Sequence, residues 1–126
     1  MEKQVIHTNK APQAIGPYSQ AIVVNGMVYT SGQLGMDENG ALQGTTAAEQ
    51  ADKAIQNLIA VLEEAGSSID KVVKTLVFLD DINDFVAVNE VYGKYFTQPY
   101  PARSAVEVAN LPKGAKVEIE VIATVG

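Results

Sequence analysis

Arg103 and Glu118 are the residues whose types and surroundings could do chemistry. Both lie in Pro101–Ala123, which reads as two strands around a turn, most of it in a core. A charge in a buried sheet is costly unless it is paired or has a task. A guanidinium offers a planar fork that suits a carboxylate in two parallel hydrogen bonds. Arg103 therefore reads either as a clamp for a small acid or as an interface arginine paired to a protein carboxylate. Glu118 and Glu120 are two apart in Val117-Glu118-Ile119-Glu120-Val121. Period two puts them, with Ile122, on one face of a strand, and Val117, Ile119 and Val121 on the other. Such glutamates are cation-paired, proton-transfer groups with an altered pKa, or members of a solvated face.

The other polar candidates are weaker. Gly16-Pro17-Tyr18-Ser19 and Ser31-Gly32-Gln33 are loops at strand ends that offer hydroxyls and free backbone amides. Neither has the glycine spacing of a phosphate-binding loop, and turn chemistry alone accounts for both. Asn89 lies beside the apolar stripe of a helix, where asparagine is mildly unfavourable. It is either a boundary residue or a polar group aimed at a cleft. His7 is the only histidine, sits in a weak edge strand and reads as a surface residue. There is no cysteine, so disulfides, thiolate nucleophiles and cysteine-type zinc sites are excluded. One histidine leaves too few donors for a transition-metal site.

The elements that must position these residues read β-β-β-α-β-α-β-β. A first strand covers Gln4–His7. Ser19–Val24 and Met27–Ser31 flank Asn25-Gly26, the strongest short hairpin signal, because both central residues of a type I′ turn need positive φ. Asp37–Gly40 is a second turn. Thr46-Ala-Ala-Glu49 offers a capping box. Ala51, Ile55, Leu58, Leu62 and Ala65 then recur at four-three spacing, and Gly66 stops the helix. Val72–Leu79 is a strand, and Asp80-Asp81 can cap a second helix with Phe85, Val88, Tyr92 and Tyr95 as its stripe. Ser104–Val108 and Lys116–Thr124 close the chain. This pattern makes a two-layer α+β sandwich, with two helices on one face of a mixed sheet. The other face is left bare and apolar, which points to an oligomer.

The 126 residues suit one domain, 1–126. Fifteen acidic against nine basic residues give a net charge of −6, which disfavours a nucleic-acid footprint and an anionic membrane. No secretory signal or bilayer-spanning run is evident, so the expected location is the cytoplasm.

Five segments carry a resemblance. Ile15–Ala21 (IGPYSQA), Thr30–Gln33 (TSGQ), Val88–Tyr92 (VNEVY), Pro101–Val108 (PARSAVEV) and Leu111–Ala123 (LPKGAKVEIEVIA) closely resemble the Rid family, the reactive intermediate deaminases also called YjgF. The details are similar to the archetypal 2-iminobutanoate/2-iminopropanoate deaminase subgroup. The resemblance implies a chorismate-mutase-like fold and a homotrimer with a central β-barrel and sites between subunits. It implies hydrolysis of 2-imino acids to 2-keto acids and ammonia, with no metal or organic cofactor. By position, Arg103 matches the carboxylate-binding arginine and Glu118 the acid associated with the attacking water. Tyr18, Ser31, Gly32, Asn89 and Ala105 match positions lining the pocket. Many members carry cysteine where this chain has Ala105, so a thiol-dependent side activity is ruled out here.

Overall fold

The computed structural model describes residues 2–126. Seven strands and two helices follow one another as β1 (Gln4–Ile6), β2 (Ala21–Val24), β3 (Met27–Thr30), β4 (Gln33–Leu34), α1 (Ala47–Glu64), β5 (Val72–Leu79), α2 (Phe85–Tyr95), β6 (Ala102–Glu107) and β7 (Val117–Thr124). The sheet order is β1-β2-β3-β7-β5-β6, and the short β4 also pairs with β7. Only β5 and β6 run parallel, joined by α2, so the sheet is mixed.

Local signals set the elements. Asn25 and Gly26 both adopt positive φ (56° and 75°), and the β2–β3 hairpin closes with Val24 opposite Met27. Thr46 accepts from the Glu49 amide while the Glu49 carboxylate accepts from the Thr46 amide, a reciprocal cap on α1. At the other end Gly66 takes φ 80°. The Ser67 amide reaches back to the Leu62 carbonyl, so the helix closes in a Schellman turn. Asp81 caps a short 3₁₀ turn, Ile82–Asp84, that leads into α2 and does not cap α2 itself.

Alternation along β7 decides the layers. Val117, Ile119, Val121 and Ala123 are fully buried under the helices, with Ile55, Leu58, Leu62 and Val88. Glu118, Glu120 and Ile122 take the opposite face and are half-buried. That face bears no helix. It also presents Tyr29, 45% exposed, and Val106, 43% exposed, an apolar surface open to water in the single chain.

Two further expectations change. Residues 33–34 form a strand, tied down by Asn57 of α1, whose side-chain amide donates to the Leu34 and Met36 carbonyls at 3.1 and 2.9 Å. The strand containing Arg103 begins at Ala102, not Ser104, and it is an exposed edge and not part of the core. An edge strand tolerates polar side chains, so an arginine can stand inside one. Among the described residues, no helix is long and apolar enough to cross a membrane.

Candidate functional site

Arg103 is held by α2. In the parallel β5–β6 ladder it pairs with Thr75, which is fully buried on the helix side of the sheet. Residues paired across a ladder share a face, so Arg103 also points toward the helices. There α2 presents Phe85, Asn89 and Tyr92, at i, i+4 and i+7, which is one side of a helix. The guanidinium carbon lies 5.1 Å from the Phe85 ring centroid and 4.7 Å from that of Tyr92. Arg103 Nη1 donates to Asn89 Oδ1 at 2.7 Å. Asn89, Tyr92, Gly93, Tyr100, Pro101 and Arg103 line a cavity of about 400 Å³. Asn89 is thus the polar group aimed at a cleft.

Glu118 stands elsewhere. It lies on the bare face of β7, beside Gly32. A Cβ on Gly32 would come within 2.8 Å of the Glu118 carboxyl carbon, so this glycine makes room for the carboxylate. Burial pushes the Glu118 carboxyl above its ordinary range, and the charge of Glu120 adds to the rise. Tyr18, Gly32 and Glu118, with Ile15, Pro112 and Lys113 among their neighbours, line a second cavity of about 490 Å³. The loop that walls it is pinned by Gln20, whose side chain bonds the Thr8 amide at 2.7 Å and the Pro12 carbonyl at 2.8 Å.

The two cavities share no residue. Glu118 and Val106 both pair with Phe78, and Arg103 sits three residues before Val106. The two Cα atoms are therefore offset by about 10 Å along the strands and about 10 Å across them. Their side chains also leave opposite faces. One chain supplies an arginine-lined cavity and a glutamate-lined cavity, and does not bring them together.

Two sequence-derived positions line neither cavity. The Ser31 hydroxyl donates to the Ser19 carbonyl at 2.6 Å and braces the loop beside Gly32. Ala105 packs its methyl against the core. Its backbone is different. Val108 donates its amide to Leu79 of β5, so by strand alternation the amides of Ala105 and Arg103 face the open edge of β6. His7 is exposed and bonds Gln13 at 2.6 Å, outside both halves. Sequence reasoning missed the role of Phe85 and Tyr92 around Arg103, having counted them only as core stripe. Their 85-89-92 spacing with Asn89 was the available signal. Among the described residues, no group of three or more His, Asp or Glu side chains could hold a metal ion.

The sequence pattern of the endoribonuclease L-PSP family matches residues 8–125. This chain belongs to that family, also known as YjgF or Rid. The family member from Homo sapiens called 2-iminobutanoate/2-iminopropanoate deaminase is 51% identical over 125 residues, covering 98% of this chain and 91% of the human protein. Among solved structures, RidA from the Antarctic bacterium Psychrobacter sp. is 49% identical with a TM-score of 0.93. The match covers 97% of this chain and 99% of that one. E. coli TdcF with bound serine is 41% identical with a TM-score of 0.91, covering 98% and 99%. This Rid chain thus shares its α+β fold with these relatives over nearly its whole length.

Proposed function

We propose that the protein is a 2-iminobutanoate/2-iminopropanoate deaminase, acting at sites built between copies of the chain in a homotrimer whose sheets enclose a central barrel. The observation that carries this reading is the split site. An arginine with free donors lies on one face and edge, and a pKa-raised glutamate lies in a cleft on the other. Each becomes useful to a small acid only when a second copy brings the missing half. The bare apolar face gives the copies a surface to meet on. The names of relatives about half identical in sequence supply the substrate class.

In this mechanism Arg103 grips the substrate carboxylate through two N–H donors and so fixes the adjacent C=N carbon. The outward backbone amide of Ala105 stands beside it. Glu118 holds a water against that carbon of the protonated imine and takes a proton as the water's oxygen bonds to carbon and the C=N π electrons move to nitrogen, giving a tetrahedral 2-amino-2-hydroxy acid. Glu118 returns that proton to the amino nitrogen and takes the hydroxyl proton as the C–N bond breaks, so ammonia leaves, the 2-keto acid remains, and Glu118 gives the last proton to the ammonia or to solvent. The imine is already electrophilic, so placement of water against carbon supplies most of the rate. The same chemistry requires no cofactor.

Arg103→Ala is expected to lose about 10- to 150-fold in kcat/KM, as expected when a charge-assisted contact is removed. The measurement is ammonia release when a threonine dehydratase generates the imine in the cuvette. An Arg103→Ala protein as active as wild type would refute the assignment. The family's descriptive name carries a second reading, RNA cleavage. The net charge of −6 counts against it, and a salt-dependent RNA titration tests it.

A further inference from the structure

The aromatic seat of Arg103 has no role in the reaction as written, yet it is built with some care. Tyr92 is 6% exposed, and its hydroxyl lies 2.9 Å from that of Thr75, which is fully buried on β5. Phe96 stacks on the face of the same ring, with centroids 4.2 Å apart. The ring is therefore fixed at its tip by the sheet and at its flank by a neighbour. Arg103, in contrast, rises from an exposed edge strand on a long side chain with several rotamers. Among the described residues, Arg103 makes one side-chain hydrogen bond, to Asn89, so four of its five N–H donors remain for a ligand. A position that needed only apolar volume would take Phe over Val here. The buried hydroxyl pair adds a desolvation cost that only mutual hydrogen bonding offsets.

We propose that Tyr92, pinned by Thr75, is a positioning residue. Its ring sets the plane of the Arg103 guanidinium, so that the fork faces the cavity before substrate arrives. The proposal deepens the deaminase reading and rests on it for the identity of the ligand. Asn89 fixes rotation within that plane, Phe85 bounds its far side, and the substrate carboxylate meets a fork already oriented. Preorganisation of this kind raises affinity by removing an ordering cost from the binding step.

The test uses the full chain and a stable product, 2-ketobutanoate, titrated by calorimetry. Tyr92→Leu removes the ring and is expected to weaken binding about 2- to 30-fold, the span of a cation–π contact. Thr75→Val/Tyr92→Phe deletes both hydroxyls while keeping volume and ring, so the fold is spared. It is expected to weaken binding about 2- to 10-fold by freeing the ring. A merely structural role would lower the melting temperature and leave the Kd unchanged in both proteins, and that result would overturn the proposal. Side-chain ¹⁵N NMR of Arg103 gives a ligand-free reading. Wild type is expected to show a sharp, ring-shifted Nε–H that broadens in Tyr92→Leu. An unaltered signal sinks the positioning role whatever the substrate is. Failure of the deaminase reading looks different: Arg103→Ala would then bind 2-ketobutanoate as wild type does.

Discussion

The proposed mechanism has Glu118 act as a base from a place that favours its neutral form. Burial and the nearby Glu120 charge both raise its pKa, so activity should rise with pH through a value above the ordinary carboxylate range. Stability runs the other way. The unfolded chain ionises this group earlier, so its contribution to stability is present below the ordinary pKa and is lost as pH rises through the raised one. Glu120→Gln removes the second cause. The acid limb of the kcat/KM profile is then expected to move to lower pH, and a limb that stays put would separate the two glutamates. Gly32 belongs to the same neighbourhood. Gly32→Ala places a methyl against the carboxyl end of Glu118, a flexible group that can swing aside. Fold stability should hardly change, while kcat falls toward the level of Glu118→Gln, itself about 10²- to 10⁴-fold down. Turnover and thermal melting measured on the same sample check both halves of that statement.

Elements place these residues, and their legibility varied with the length of the signal. The α1 helix was fully legible because cap, stripe and stop signal agree over twenty residues. Thr46→Ala should accordingly cost about 0.5–2 kcal/mol, readable by urea denaturation. The Asn25-Gly26 hairpin and the two faces of β7 were legible for the same reason of strict local geometry. β4 was not, since two residues carry no periodicity, and it forms only by pairing with β7 and bonding Asn57 of α1, twenty-three residues beyond Leu34. The start of β6 was not legible either. Ala102-Arg103 lacks a strand pattern, and only pairing with Lys74 and Thr75 of β5 extends the ladder to them. The candidate site followed the same division. Residue types pointed to Arg103 and Glu118, but the aromatic seat on α2 appears only when β5, β6 and α2 are stacked.

Across the whole molecule, Arg103 and Glu118 lie on opposite faces, so the proposed mechanism makes assembly a condition for chemistry. A carboxylate placed on the bare face tests the surface itself. Leu76 is half-buried there, paired with Glu120, so Leu76→Asp adds a like charge where copies are expected to meet. Light scattering should show a smaller species, and activity should fall although neither half-site is touched. Complementation is a sharper test. Arg103→Ala, down about 10- to 150-fold, and Glu118→Gln, down about 10²- to 10⁴-fold, are each expected to sit well below wild type alone. Co-refolded in equal amounts, they form mixed rings in which some interfaces join the intact arginine of one subunit to the intact glutamate of its neighbour. For random mixing in a ring, about one quarter of sites are whole, so about that share of wild-type activity should return. A site contained within a single chain would recover nothing on mixing, because every subunit present carries one of the two lesions.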